Sequence, residues 1–512
     1  MIPTTAGEIA TIVGGQLSNL DAATPVTGPV EFDSRKVTPG SVFLCLPGAR
    51  VDGHDFAQTA AEAGAACSLA ARPVAAGAIV VKPLGKQDSN ADAFAHDPDG
   101  SGAAVLEALG KLARHTVDAL ADREQSGLPG ENLTVVGVTG SAGKTSTKDM
   151  MATVLRTAGE TVAPKGSFNN EIGHPYTVMT CTEDTKYLVA EMSARGVGHI
   201  AHLAEVAPPK FGAVLNVGTA HLGEFGSRDV IAQAKGELVE SLPAAEDGGV
   251  AILNADDDYV AGMAPRTTAK VVYFSTDPTK ADSTDYVAKD IELDELARAR
   301  FTLVFPNREE HPVVLQVSGA HQVSNALAAA AVGVEAGLPT KQVADALSSH
   351  VAASERRMDV QTRADGVTVI NDSYNANPDS MRAGIDALVR CANARDDVRS
   401  WAVLGQMGEL GDSATQEHEK LAENLAEQGV KVLVAVGTSA NVCALAEKAR
   451  QLGLNTVRVA NTDEAANAVS ESISSDDVVL VKASYADGLW RVADALLADE
   501  HVGQNLSDKE AN

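Results

Sequence analysis

The sequence predicts an α/β protein of three domains, the second and third built on mostly parallel sheets. Three observations carry this. The chain has 512 residues, enough for roughly three domains of ~150 residues each. The apolar run Leu133–Val138 passes directly into the glycine-rich turn Thr139-Gly-Ser-Ala-Gly-Lys-Thr145. Beyond that turn, short apolar runs alternate with helical patterns, as parallel sheets covered by helices require.

The first domain is read over residues 1–100. It carries a strand-like run at 41–46 and an Ala-rich helix at about 56–64. Turn and acidic residues cluster at about 86–102, which reads as a linker or loose insertion. The second domain, 101–353, opens with an amphipathic helix at about 103–120. Strands are expected at 133–138, 187–192, 212–217, 250–254 and 271–274. An antiparallel pair at 300–305 and 311–317 and an Ala-rich helix at about 322–336 close it. The third domain, 354–512, has strand runs at 367–370, 400–404, 432–436, 456–459 and 478–481, with helices near 379–392, 415–428, 440–452 and 487–498. This is a Rossmann-like pattern without G-x-G-x-x-G, so no dinucleotide is assigned to it.

Composition narrows the function. Apolar residues make up 45% of the chain but aromatics only 4%, so the cores are built from Ala, Val and Leu. A net charge of −28 disfavours nucleic acid and anionic membrane surfaces. Any bound phosphate must therefore be neutralised locally. The five scattered cysteines form no metal or disulfide pattern. With neither a signal pattern nor a run of membrane-spanning length, the chain reads as cytoplasmic and not inserted in a membrane; a monomer is expected.

The turn after Val138 is a short phosphate loop. Glycines let the backbone approach a phosphate, and the helix N-terminus aims N–H groups at it. Gly140, Ser141, Ala142, Gly143, Lys144, Thr145 and Ser146 are the expected nucleotide contacts, with Lys144 as point charge and the Thr145 hydroxyl as a Mg²⁺ ligand. Glu191 ends a strand expected beside the loop strand. It is either a Mg²⁺ ligand or a helix-capping acid. Asn216 and His221 follow the next strand; His221 suits a second metal or a phosphate. Lys235, within a probable helix, reads by itself as a solvated lysine. Arg357 lies at the second hinge, where it could reach a phosphate or pair with surface acids. Asp372 opens the turn-rich run Asp372–Ser380, which reads as a binding loop in a cleft.

Together these features resemble the ATP-dependent Mur ligases of peptidoglycan synthesis, over nearly the whole chain. The resemblance rests on Asp33-Ser-Arg35, Gly40-Ser-Val-Phe43, the run 46–56, the phosphate loop, Phe168-Asn-Asn-Glu-Ile-Gly-His-Pro175, His221–Ser227 with Ala234-Lys-Gly-Glu237, Gly319–Asn325, Asp372–Pro378 and Leu404–Gly411. The last two favour the branch that adds D-alanyl-D-alanine to UDP-MurNAc-tripeptide. The resemblance implies a UDP-sugar-binding domain, a central ATPase and a closing third domain, with ATP and Mg²⁺ required. It implies an acyl phosphate on the tripeptide carboxylate, attacked by the amine of the dipeptide.

It also implies residue roles. Thr145 and Glu191 take the first Mg²⁺; His221 and Lys235, the latter as a carbamate, serve the second. Lys144, His221 and Lys235 form the catalytic set. Asn325 contacts adenine, and Arg357 and Asp372 contact ribose or phosphates. Ser34, Arg35, Arg50, Asp52 and His54 match the UDP-sugar motifs. Asn169 and Asn170 lie on the tripeptide side, Asn375 and Asn377 on the dipeptide side. The chain departs from the family pattern at Gln322, at Gln406, at Lys482-Ala-Ser-Tyr485 and in the acidic insertion. The alternative is a related Mur or folylpolyglutamate-type ligase that adds a single amino acid. The Asn-Pro-Arg run of the diaminopimelate-adding branch is absent, since Asn377-Pro378 is followed by Asp379.

Overall fold

The computed structural model describes residues 1–87, 94–219, 222–395 and 397–498. At its centre stands a nine-stranded sheet. In spatial order its strands are Glu310–Ser318, Arg298–Val304, Tyr286–Leu293, Lys270–Ser275, Val250–Asn254, Phe211–Val214, Thr134–Thr139, Tyr187–Glu191 and Thr161–Val162. The first two run antiparallel to their neighbours and the rest are parallel. The loop strand Thr134–Thr139 is therefore central. Register sets Glu191 opposite Val138 and Val214 opposite Thr139, so three carboxyl ends meet at one edge. Ligands bind at such an edge in open parallel sheets.

The central strands are continuous apolar runs because both their faces are covered. Val136, Val138 and Val189 pack with Met150, Val154 and the alanines of Gln322–Glu335. On the other face Ala190 and Val214 pack with Ile231, Ala234 and Leu238 of helix Arg228–Glu240. That helix comes close because residue 137 is a glycine; a Cβ there would stand 2.8 Å from Leu238 Cδ1.

The third domain has a six-stranded sheet in the order Asp359–Thr362, Thr368–Asn371, Val478–Lys482, Ser400–Leu404, Val432–Val436 and Asn455–Val459. Only its first strand is antiparallel. The N-terminal sheet has five strands, in the order Gln16–Ser18, Ala78–Val80, Cys67–Ala70, Val42–Leu44 and Val30–Glu31. The helix Ser101–Ala121 shares one apolar core with both neighbours. Ile9 of the helix Ala6–Val13 and Leu69 of the first sheet lie in the same cluster as Leu109, Val117, Val135 and Leu188.

Several elements were not expected: the strands Tyr286–Leu293 and Asp359–Thr362 and the helices Thr340–Ser349 and Thr462–Ser470. The described part of the segment at 86–102 is not a loose linker. Asp97 is only 4% exposed and its carboxylate accepts the N–H groups of Gly102 at 2.9 Å and Ala103 at 2.8 Å. It caps the helix N-terminus, which is why the helix starts at Ser101. Residues 88–93 of that segment, like the polar C-terminal stretch from 499, lie outside the described residues.

All five cysteines are free thiols, as the sequence suggested; burial pushes Cys45, Cys67 and Cys181 up to about 12. No helix among the described residues is long and apolar enough to cross a membrane.

Replacing Asp97 by Ala strips two buried N–H groups of their acceptor. We expect a loss of about 1–2 kcal/mol in urea unfolding, the usual cost of a lost N-terminal cap. An unchanged midpoint would mean the cap contributes nothing.

Candidate active site at the glycine-rich loop

The strand Thr134–Thr139 ends in the loop 140–143 and the helix Lys144–Arg156 begins at once. Asn216, just past the neighbouring strand, fixes the loop shape. Its Oδ1 accepts Ala142 N–H at 2.9 Å, its Nδ2 donates to the Ala142 carbonyl at 3.1 Å, and its backbone carbonyl accepts Ser141 N–H at 3.1 Å. Among the described residues no acceptor engages the N–H groups of Gly143, Lys144, Thr145 or Ser146. These four donors at a positive helix end form an anion cradle. Gly143 turns the chain with φ +84°, and a Cβ there would lie 2.7 Å from Asn325 Oδ1. Asn325 is itself held by Gln322, whose Oε1 accepts its Nδ2 at 2.9 Å.

Lys144 folds back so that Nζ donates to the Gly140 carbonyl at 2.7 Å. Burial lowers its pKa, and the charge of Glu191 works against that shift. Glu191 is 1% exposed. Its carboxylate accepts from Thr145 Oγ1 at 3.0 Å, Ser167 Oγ at 2.9 Å and Asn169 Nδ2 at 2.6 Å. Lys148 steadies the segment that brings Ser167 and Asn169 there, donating to the Pro164 carbonyl at 2.7 Å and pairing with Asp149 at 2.5 Å. A hydroxyl and a carboxylate side by side beneath free N–H donors are a hard oxygen donor set. Such a pair suits Mg²⁺, which takes one or two protein oxygens and completes its shell with phosphate and water.

Lys235 is not the solvated lysine its helix suggested. It is 3% exposed, and no hydrogen-bond or ion-pair partner engages it among the described residues. Burial first, then the nearby charge of Lys144, push its pKa well down, towards the neutral amine. It is not among the residues that line the cleft described below. His221 lies outside the described residues.

The third domain supplies the opposite wall of a cleft of about 910 Å³. Asp372, past the end of strand Thr368–Asn371, accepts Lys482 Nζ at 2.5 Å and Met358 N–H at 3.1 Å. Lys482 also donates to the Asn375 carbonyl at 2.9 Å. Its burial lowers its pKa, and Asp372 opposes that shift. The Arg357 guanidinium lies 4.2 Å from the Tyr374 ring centre, and its Nε is buried without an acceptor. Arg357 is flanked by two left-handed residues, Arg356 at φ +61° and Met358 at φ +50°, a conformation non-glycine residues rarely adopt. Contacts that tie the walls together include Asp379, which accepts Thr219 N–H at 3.0 Å, and Arg195, which pairs with Glu409 at 2.7 Å.

Gly143, Lys144, Thr145, Ser146, Asn169, Asn170, Glu191, Asn325, Arg357, Asp372, Asn375 and Asn377 thus face one cleft. Some are already engaged. Asn170 Oδ1 accepts Gly173 N–H at 2.9 Å, and Asn377 caps the helix Pro378–Asn393. Ser34, Arg35, Arg50, Asp52 and His54 do not line it. They lie in the N-terminal domain, on loops and short 3-10 helices that follow its strands; there Arg35 forks onto Asp33 and holds that carboxyl at about 2. Asp52 binds His54 Nδ1 at 2.7 Å, while His54 Nε2 accepts Ala71 N–H at 3.0 Å, so both ring nitrogens are used. Arg50 is exposed. Phe32, Tyr176 and Phe168 bridge from this sheet to the central domain with ring centres 5.3 and 5.6 Å apart. Sequence reasoning missed Ser167, Lys148 and Lys482 as parts of the site. Only Lys482 carried a signal, at the tip of a strand.

The chain matches three family descriptions in order: the Mur ligase family catalytic domain at 29–116, the Mur ligase middle domain at 138–333, and the Mur ligase glutamate ligase domain at 356–485. It is 51% identical to the UDP-N-acetylmuramoyl-tripeptide–D-alanyl-D-alanine ligase of Mycobacterium tuberculosis, covering 98% of this chain and 99% of that one. Identity to the Escherichia coli ligase of the same name is 32%, over 87% and 88%. Among solved structures, MurF of Acinetobacter baumannii superposes with a TM-score of 0.80 at 28% identity, covering 97% and 99%. MurF ligase of Thermotoga maritima in complex with ADP gives 0.73 at 26%, covering 93% and 98%.

Gly143→Ala should raise the dissociation constant for ATP at least tenfold, because the new methyl strains φ and meets Asn325. Titration with a fluorescent ATP analogue checks this, and unchanged affinity would mean the cradle does not hold the phosphates.

Proposed function

Because the chain belongs to the Mur ligase family, we infer that it joins D-alanyl-D-alanine to a UDP-N-acetylmuramoyl-tripeptide while ATP becomes ADP and phosphate. The observation that carries this is the meeting, in one cleft, of four free loop N–H groups, Lys144 and the Thr145–Glu191 oxygen pair with Arg357 and Asp372 on the opposite wall. The near full-length identity to ligases of that name supports it.

The physical problem is the approach of two anions. The tripeptide carboxylate must attack the γ-phosphorus of ATP, forming an O–P bond as the bond to the β-phosphate oxygen breaks. The loop N–H groups and Lys144 offset the charge on the transferred phosphoryl group. Thr145 and Glu191 would hold Mg²⁺, which when bound neutralises phosphate charge. The acyl phosphate then meets the free amine of the dipeptide. The N–C bond forms through a tetrahedral intermediate, the C–O bond to phosphate breaks, and the amine proton leaves.

Gly140, Ser141, Ala142, Gly143 and Ser146 line the triphosphate path in this reading, and Asn325 faces adenine. Arg357 and Asp372 face ribose or phosphates. Asn169 and Asn170 stand on the tripeptide side, Asn375 and Asn377 on the dipeptide side. Ser34, Arg35, Arg50, Asp52 and His54 serve the UDP-sugar end, His54 by holding Asp52 in place. The working domains are 1–100, 101–353 and 354–512. We place the protein in the cytoplasm, where ATP and UDP-sugars are, as a monomer.

Lys235 belongs to the same reading. A buried neutral amine without a partner is the form that adds CO₂, gaining an N–C bond and losing a proton to become an anionic carbamate. That carbamate and His221 would serve the second Mg²⁺.

Phosphate release should require a UDP-muramyl tripeptide and D-alanyl-D-alanine together, with single amino acids inactive as acceptors. Lys144→Ala should lower that turnover by about 10²–10³ or more, the scale of losing one preorganised charge donor. Turnover with single amino acids in place of the dipeptide would overturn the assignment.

Lys235→Ala should lose activity, partly restored by added short carboxylates. In ¹³C-bicarbonate the wild-type protein should show a carbamate resonance that Lys235→Arg lacks. A resonance that persists in the variant would sink the carbamate role.

A further inference from the structure

The run Leu404–Gly411 carries part of the family resemblance, and two of its residues, Gly408 and Glu409, line the cleft. It leaves the strand Ser400–Leu404 as a loop pinned from several sides. Asp487 Oδ2 accepts Gln406 N–H at 2.8 Å, and the Gln406 carbonyl accepts Ser484 N–H at 3.0 Å. Nε2 of the buried His418 accepts Met407 N–H at 3.0 Å. Met407 and Leu410 are sunk in the core of the third domain. Between and after them the backbone turns left-handed, at Glu409 with φ +59° and at Gly411 with φ +55°. The tip of the loop is therefore fixed to its own domain.

That tip rests on the central domain. Gly223, in the short helix Leu222–Phe225, donates its N–H to the Glu409 carbonyl at 3.4 Å, and Arg195 pairs with the Glu409 carboxylate at 2.7 Å. Where the loop crosses the helix, backbone meets backbone with no side chain between. A Cβ on Gly223 would stand 2.5 Å from Gly411 N, 2.8 Å from Gly411 Cα and 2.9 Å from the Leu410 carbonyl carbon. An ordinary carbon contact needs about 3.5–4.0 Å. The helix is as firmly seated as the loop, because Phe225 packs with Ile231, Ala234 and Leu238 of helix Arg228–Glu240. With neither side free to give, this crossing sets how close the two walls of the cleft stand.

Spacing matters because ligation joins groups held on opposite walls. In the ligase reading the tripeptide lies beside Asn169 and Asn170, and the dipeptide beside Asn375 and Asn377. The carboxylate attacks the γ-phosphorus at the central-domain cradle. The amine must then cross from the other wall to within about 3–3.5 Å of the acyl carbon, and an error of about 1 Å there can cost about 10²-fold.

Resting on that reading, we propose that Gly223 and Gly411 are positioning residues, whose backbone contact sets the gap across which the dipeptide amine attacks the acyl phosphate. The N–C bond forms and the C–O bond to phosphate breaks only when that gap is right.

The test is a single turnover of the full-length protein, in excess over ATP, with UDP-muramyl tripeptide and D-alanyl-D-alanine present. ADP formation reports the first step and amide formation the second. Gly223→Ala should keep the rate of ADP formation within about threefold of wild type and slow amide formation by about tenfold or more. Gly223→Val, with more bulk at the same point, should slow amide formation further. Ala is a better helix former than Gly, so the Ala variant should keep its thermal midpoint. A misfolded fraction would lower the amplitudes of both products and leave their rates alone, so it does not imitate the expected split.

Wild-type amide formation by Gly223→Ala overturns the proposal. So does a slowing of ADP formation as large as that of the amide. A wild-type protein that makes no amide from these substrates overturns the ligase reading instead, which separates the two failures.

Discussion

The site depends on one buried carboxylate that the protein surrounds with neutral donors. Glu191 is solvated by two hydroxyls and an amide, none of them a cation. A buried carboxylate so held is a standing negative potential at the foot of a positive helix end. That pairing of opposite potentials suits a cation and a phosphate arriving together. It also explains why so acidic a protein, at −28 net, can handle a nucleotide. The attraction is confined to one loop and one strand tip.

The rest of the cleft extends the same logic. Lys235 is a buried amine with no described partner, and Arg357 has a buried nitrogen without an acceptor. Each is costly as it stands and becomes useful when a ligand supplies the missing partner. The Lys482–Asp372 pair is the contrast, a closed unit that fixes the loop at 372–375. The third-domain wall therefore holds both a closed internal pair and, in Arg357, a nitrogen still without an acceptor.

Much of this was legible in the sequence because it is written in local patterns. The glycine spacing at 140–143 and the apolar strand before it announce the loop. Glu191 was legible because its strand is apolar up to the carboxylate. The strand Tyr286–Leu293 was not, since charged residues fill its exposed half and a bulge interrupts it between Lys289 and Glu292. The burial of Lys235 was also hidden, because Ala-Lys-Gly-Glu reads like any helix surface. The close approach permitted by Gly137 and Gly212 puts that helix face against the sheet. Ser167, Lys148 and Asp97 act through partners whose roles only the folded chain reveals.

Helix Ser101–Ala121 has one further consequence. Its apolar stripe packs at once against the N-terminal sheet and the central sheet, so the first two domains share one core across the boundary near residue 100. The C-terminal sheet, by contrast, packs both faces against helices of its own domain. A substitution inside the third domain's core would therefore be felt chiefly by its own helices, while one on helix Ser101–Ala121 would reach two sheets at once.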